Sequence, residues 1–207
     1  MDVAKGEQHG AGMVTARPRP QWGSCPSGVA MKTLSVLAMA GWLTSLAPAA
    51  LAAPDLVILV RHAEKAAEPG NDPALSPEGA QRAQALADAL KGLRVSTIIT
   101  TQYRRTRDTA APLAQALGLQ PQVIETRKGD MPGHVQQVAD TVRAQSGTVV
   151  VVGHSNTVTP LLAALGGPKL AELCETSFQH LFLWQPPGGW ARLSYGAPGQ
   201  PPTPGCL

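Results

Sequence analysis

Two short apolar runs stand out from the polar background of this chain: Leu56-Val57-Ile58-Leu59-Val60 and Thr148-Val149-Val150-Val151-Val152. Neither alternates and both are rich in β-branched side chains, the pattern of strands buried on both faces of a parallel sheet. Between them the pattern changes to helical spacing. Ser76 is a good N-cap with Pro77 at the first helical position, and Ala83, Leu86, Ala87 and Leu90 share one face of a helix reaching about Lys91. Ser96–Thr100 reads as a second buried strand, Thr106–Leu117 as a helix stopped by Gly118, and Gln122–Glu125 as a short third strand. A helix over His134–Gln145 precedes the Thr148–Val152 strand, and one over Thr157–Leu165 follows it. His180–Gln185 and Trp190–Tyr195 flank Pro186-Pro187-Gly188-Gly189 and predict a hairpin, with Trp184 and Trp190 filling core or edge. Alternating strands and helices predict an α/β fold, a three-layer α/β/α sandwich with a mostly parallel sheet and an antiparallel C-terminal hairpin. No internal repeat and no second domain is visible.

The N-terminal quarter follows a different pattern. Met31-Lys32 opens an apolar stretch from Leu34 to Leu46, and Ala50-Leu51-Ala52 offers a small-x-small cleavage site, so 31–52 reads as a signal peptide. Gly41 and Pro48 break the run, which is also too short for a membrane span. Residues 1–30 then read as a non-native extension ahead of a start at Met31, the rival reading being a disordered cytoplasmic arm before an uncleaved anchor. The expected layout is a single domain over 53–196 and a disordered Pro-rich tail over 197–207. This predicts a periplasmic or secreted protein with no stable membrane insertion after cleavage.

Charge and cysteines refine that picture. The whole chain has a formal net charge of +3, but Lys5, Arg17, Arg19 and Lys32 lie before residue 53, against only Asp2 and Glu7. The domain itself is close to neutral and carries no basic stripe, which argues against a nucleic-acid partner. Cys25 lies in the leader, Cys174 in the domain and Cys206 in the tail; in an oxidising compartment the last two could pair, and otherwise they are two unpaired thiols. No Cys-x-x-Cys pair exists, which excludes a cysteine zinc site.

The candidate chemistry lies where the strands end. Leu56–Val60 runs into Arg61-His62-Ala63-Glu64-Lys65, and Thr148–Val152 runs into Gly153-His154-Ser155-Asn156-Thr157. The second strand leads through Thr100-Thr101-Gln102-Tyr103 to Arg104-Arg105-Thr106-Arg107 at a helix start. Ligands of open α/β sheets sit beyond the carboxyl ends of the strands. Two histidines and at least two arginines converging there suit a phosphoryl group, whose oxygens match guanidinium forks. Helix N-termini near Thr106 and Thr157 would add N–H donors. Asn156 and Thr157 read either as helix caps or as substrate contacts, and His134 and His180 as surface or packing residues. Ser155 sits in no Gly-x-Ser-x-Gly elbow, which argues against a serine hydrolase.

These residues resemble the motifs of the histidine phosphatase superfamily, the phosphoglycerate mutase-like fold. Arg61-His62 with Ala63-Glu64-Lys65 is similar to its N-terminal signature, and Leu75-Ser76-Pro77-Glu78-Gly79 with Arg82-Ala83 to its first-helix pattern. Arg105 with Thr109-Ala110 resembles its second basic motif and Gly153-His154 its second catalytic histidine. The Gly153–Thr157 form is similar to the small bacterial branch. The resemblance implies a phosphoglycerate mutase-like fold and a metal-independent phosphomonoester hydrolase with no cofactor. His62 would be the nucleophile that forms a phosphohistidine. Arg61, Arg105 and His154, with Ser155 and Asn156, would hold the phosphoryl oxygens of a small phosphorylated substrate.

The proton donor departs from the family pattern. Ser155 stands where phytase-like members carry an acid; by position Glu125 is the first candidate, followed by Asp130 and Glu64. Two other functions fit the same residues: a phosphoglycerate mutase-type phosphotransferase, and a non-catalytic module that binds phosphate or phosphorylated glycans. A metal hydrolase built on His62, His154 and Glu64 fits less well, because the adjacent arginines repel a dication. Glu172 and Glu175, in the segment after Gly167, would deter a strongly anionic substrate tail. The sequence leaves the oligomeric state open.

Overall fold

The computed structural model describes residues 53–201 and 203–207. The extension expected over 1–30 and the signal peptide expected over 31–52 lie outside the described residues. Among the described residues, no helix is long and apolar enough to cross a membrane.

Strands and helices alternate as far as β5, and a second strand then ends the series: β1 (Pro54–Arg61), α1 (Pro77–Ala89), β2 (Val95–Thr100), α2 (Arg104–Leu117), β3 (Gln122–Val123), α3 (Met131–Arg143), β4 (Gly147–Gly153), α4 (Val158–Ala164), β5 (His180–Gln185) and β6 (Gly189–Ser194). They form one six-stranded sheet in the order β3-β2-β4-β1-β5-β6. The first four strands of that order are parallel, and β5 and β6 add on antiparallel at one edge. The expected α/β architecture with a mixed sheet and a C-terminal hairpin is thus the observed one.

Burial explains the unbroken apolar strands. Val57 and Leu59 of β1, with Val149 and Val151 of β4, pack against Val138, Val142, Leu161 and Leu162 of α3 and α4. Their neighbours Ile58, Val60, Val150 and Val152 face the other way, onto Leu86, Leu113 and Ala114 of α1 and α2. A strand with helices on both sides has no polar face, so its sequence cannot alternate.

Helix boundaries depart slightly from the expected ones, for local reasons. α2 begins at Arg104 rather than Thr106 because Tyr103, extended at φ −72° and ψ 138°, serves as N-cap. α3 begins at Met131 rather than His134 because Asp130 caps it, its Oδ1 accepting the Gly133 N–H at 2.9 Å. Ser76 caps α1 as expected, accepting the Gly79 N–H at 3.1 Å. Gly79 itself has no room for a side chain: a Cβ there would stand 2.1 Å from the Glu64 carbonyl oxygen. That close approach seats α1 directly on the loop leaving β1.

Within the tail expected to be disordered over 197–207, the structure places specific contacts: Cys206 is bonded to Cys174, and Leu207 pairs with the segment around it. The Leu207 N–H donates to the Glu172 carbonyl at 2.9 Å, and the Cys174 N–H to the Leu207 carbonyl at 2.7 Å.

The disulfide closes a segment with a sequence separation of 32 residues. Replacing both cysteines by serine is expected to lower unfolding free energy by about 3 kcal/mol in the chain-entropy account. Urea denaturation under non-reducing conditions measures it.

Candidate active site

β1 and β4 lie side by side with Arg61 opposite Gly153, and the His62 N–H donates to the Gly153 carbonyl at 2.9 Å. This register delivers His62 and His154 to neighbouring positions at the carboxyl edge of the sheet. Their ring centroids are 5.4 Å apart. β2, on the other side of β4, brings Thr101, Tyr103 and Arg105 to the same edge. The three strand exits line one open cleft of about 860 Å³ that also touches Lys65, Asn71, Thr126, Arg127, Lys128, Ser155, Asn156, Glu172 and Glu175.

The loop after β1 is anchored by the motif residues around it. The Ala63 N–H donates to Thr109 Oγ1 at 2.9 Å, and that hydroxyl donates to the Arg105 carbonyl at 2.7 Å. Thr109, fully buried on α2, thereby ties the loop carrying His62 to the helix carrying Arg105. On the opposite side, the Arg82 Nε donates to both carboxylate oxygens of Glu64, at 2.9 and 3.0 Å. Its Nη1 donates to the Tyr195 and Ala197 carbonyls.

Hydrogen bonding sets the tautomer of each histidine. His62 Nδ1 lies 2.8 Å from the Ala63 carbonyl, so it must carry the proton, leaving the Nε2 lone pair unprotonated. The Thr106 hydroxyl donates its one proton to a backbone carbonyl, of Tyr103 at 2.8 Å or of Thr101 at 3.1 Å. It therefore accepts from Thr101 Oγ1, 2.9 Å away. Thr101 Oγ1 in turn accepts from His154 Nε2–H at 3.1 Å, which fixes the second ring.

Both histidines are 4–7% exposed. Burial pushes His62 down to about 3, and Arg61, His154 and Arg105 add to the effect; the Ala63 carbonyl works against them. Burial likewise pushes His154 down to about 3, with Arg105, His134 and Arg61 contributing. Both imidazoles are neutral at neutral pH.

The arginines sort by position. Arg105 stacks on Tyr103, its Cζ 4.2 Å from the ring centroid, and reaches the cleft with Asp72 3.8 Å away. Arg104 is more exposed and pairs along the helix with Asp108, while Arg107 is exposed. Neither of the two lines this cleft. Arg61 is 1% exposed: its Nη1 donates to the Cys174 carbonyl at 2.7 Å and the Ser177 carbonyl at 3.3 Å. Nη2 donates to Glu175 Oε2 at 2.7 Å, and the guanidinium lies 4.2 Å over the Phe178 ring.

Of the sequence-predicted site residues, the cleft brings together His62, His154, Arg61, Arg105, Ser155 and Asn156. Glu125 is not among them. It is exposed, its backbone carbonyl bonds His134, and it does not line the cleft. The alternatives are occupied as well: Asp130 caps α3 and Glu64 is held by Arg82. Thr157 caps neither end of a side-chain bond to α4; its Oγ1 instead accepts the His154 backbone N–H at 2.8 Å and so stabilises the histidine turn. The carboxylates that do line the cleft are Glu172 and Glu175. Glu175 accepts from Ser155 Oγ at 2.6 Å as well as from Arg61, and the Ser155 hydrogen bond and Arg61 hold it below the usual carboxylate range. Sequence reading missed this role; the adjacent Cys174, paired with a distant cysteine, was the available signal that the segment is fixed. Among the described residues, no cluster of three or more His, Cys, Asp or Glu is arranged to hold a metal ion.

Comparison with known proteins follows the same residues. Residues 57–134 match the family model of the histidine phosphatase superfamily, branch 1. No curated protein sequence matches the chain. Among solved structures, the protein histidine phosphatase SixA complexed with tungstate is 19% identical, with a TM-score of 0.49, over 68% of this chain and 95% of that one. SixA from Agrobacterium tumefaciens is 22% identical, with a TM-score of 0.47, over 70% and 99%. A mycobacterial glucosyl-3-phosphoglycerate phosphatase is 18% identical, with a TM-score of 0.48, over 70% and 99%.

The depressed histidines give a testable sign. An unfolded histidine binds a proton near its ordinary value of 6.5 while these two do so only near 3, so the unfolded state holds more protons between those values. Stability is therefore expected to fall as pH drops from 6.5 toward 3. Imidazole ¹⁵N shifts of His62 and His154 should stay those of neutral rings down to pH 5, with Nδ1 protonated in His62.

Proposed function

Through residues 57–134 this chain is a member of the histidine phosphatase superfamily, and from that premise we propose that it is a phosphomonoester hydrolase working through a phosphohistidine on His62. The observation that carries the proposal is the state of His62: a buried, neutral imidazole whose Nδ1–H is tied to the Ala63 carbonyl, leaving Nε2 as the nucleophile. Around it stand Arg61, Arg105 and His154, with Lys65, Arg127 and Lys128 on the rim.

The reaction divides into two steps. His62 Nε2 forms a bond to phosphorus as the bond to the leaving oxygen breaks, and water then attacks the phosphohistidine to release inorganic phosphate. The phosphoryl oxygens carry the charge in both steps, and Arg61, Arg105 and His154, with the hydroxyl of Ser155 and the amide of Asn156, are the groups placed to hold them. His154 has its Nε2–H on Thr101, so its orientation is set before substrate arrives. A dianionic phosphoryl group beside His154 favours its protonated form, which makes that ring a better partner for the oxygens once the substrate is bound, while His62 attacks as the neutral imidazole.

The positive charge in the cleft comes from side chains, and a divalent cation would meet Arg61 and Arg105 first; this supports a metal-independent mechanism. The Cys174–Cys206 bond supports maturation in an oxidising compartment, hence a periplasmic or secreted protein.

Hydrolysis of p-nitrophenyl phosphate in the presence of EDTA tests the proposal. Wild type should turn over, and His62→Ala should lose about 10³-fold or more of kcat, as expected for removal of a covalent nucleophile. Quenching the wild-type reaction with base should trap an acid-labile phosphate on His62, found by mass spectrometry. Turnover that persists in the variant, or that EDTA abolishes, would reject the mechanism.

A further inference from the structure

Glu175 is the carboxylate that hydrogen-bonds both Arg61 and Ser155 in the cleft. Arg61 has few donors to offer a ligand. Nη1 is committed to the Cys174 and Ser177 carbonyls, and Nε is buried without a partner. Nη2 gives one of its two N–H groups to Glu175 Oε2 at 2.7 Å. The second oxygen of the same carboxylate takes the Ser155 hydroxyl at 2.6 Å. Both groups that a phosphoryl oxygen would use on this side thus already serve an anion of the chain's own.

The two ends of this contact differ in mobility. The backbone carrying Glu175 is braced: the Leu173 N–H donates to the Ser155 carbonyl at 3.2 Å, and Cys174 is held by Leu207 and by the bond to Cys206. The Glu175 side chain is 73% exposed, against 1% for Arg61, so it can leave without uncovering a core. Charged groups face it from every neighbouring element. Arg61 comes from β1, Lys65 from the following loop, Arg105 from α2 and His154 from the exit of β4, with Glu172 on its own segment.

We propose that Glu175 is a specificity-determining residue: an internal carboxylate that holds Arg61 and Ser155 against singly charged anions and yields them to a phosphoryl dianion, taking up a proton as it does so. The proposal rests on the phosphoryl-site reading above. A singly charged carboxylate ligand would offer Arg61 nothing that Glu175 does not, and it would have to displace a group already in place. A phosphoryl group brings twice the charge and three oxygens, which reach Arg105 and His154 as well. Once Arg61 and Ser155 turn to the phosphoryl oxygens, Glu175 loses the contacts that keep it ionised and gains a dianion as neighbour. Both changes raise its proton affinity, so the carboxylate takes one proton from solvent. No covalent bond changes in this step.

Sulfate is the probe, because it is a tetrahedral dianion that does not titrate at working pH. Calorimetric titration in two buffers of different ionisation enthalpy counts the protons taken up, at about pH 5 and pH 7. Wild type should bind sulfate with proton uptake and more tightly at the lower pH. Glu175→Gln, an exposed and near-isosteric change, should bind sulfate about 3- to 10-fold tighter at pH 7, with less proton uptake, as expected when one linked carboxylate is removed. Acetate should inhibit p-nitrophenyl phosphate hydrolysis in the variant at concentrations that leave wild type untouched. Equal or weaker sulfate binding by the variant, or unchanged proton uptake, overturns the role of Glu175 while wild-type turnover keeps the phosphoryl site standing. A wild type that neither binds sulfate nor hydrolyses the ester overturns the site reading, and this proposal with it.

Discussion

The pairing of β1 with β4 is the constraint from which the rest follows. These strands are far apart in sequence, yet Arg61 lies opposite Gly153, so the residues just beyond them, His62 and His154, become neighbours. A slip of one residue would send both valine-rich strands' side chains to the wrong helical layer, because successive residues face opposite sides. The hydrophobic core therefore enforces the same register that the chemistry needs. Gly153 belongs to this arrangement too: a Cβ there would stand 2.8 Å from Thr157 Oγ1, the hydroxyl that accepts the His154 N–H.

Electrostatically, the site separates its charges by depth. Buried histidines are kept neutral by desolvation and by the arginines beside them, while the arginines keep their charge by engaging carbonyls, an aromatic face and carboxylates. On the proposed mechanism, a neutral nucleophile inside a cationic cradle resolves a conflict that faces any attack on a phosphate dianion. The attacking lone pair must be available, and the surroundings must attract the very charge that would repel an anionic nucleophile. His62 meets the first demand through the Ala63 carbonyl, which claims its only proton.

Most of the fold was legible in the chain because its strands and helices differ in period. The continuous apolar runs of β1 and β4 and the one-sided spacing of α1 follow from which faces are covered, and local pattern encodes that directly. Arg61, His62, Arg105 and His154 were legible as well, since each sits at the exit of such a strand. The proton-donor assignment was not. Glu125 looks well placed at the end of β3, but β3 is only two residues long, and Glu125 is exposed and off the cleft lining. Glu175 was legible only as a carboxylate near the site; its hold on Arg61 and Ser155 was not, because its segment has no regular structure and is braced by the Cys174–Cys206 bond and backbone pairing with Leu207. Interactions spanning that much sequence leave no periodicity to read. The proline content of the tail likewise describes the segment alone and not what it is fastened to.

That fastening also ties the cleft to the redox state of two sulfurs. β1 leads to Arg61 and His62, and the brace behind the segment that engages Arg61 comes from residues 203–207, at the far end of the described chain. Reduction of the Cys174–Cys206 bond would loosen the segment whose carbonyls and carboxylate accept from Arg61, while the sheet and both helical layers keep their own packing.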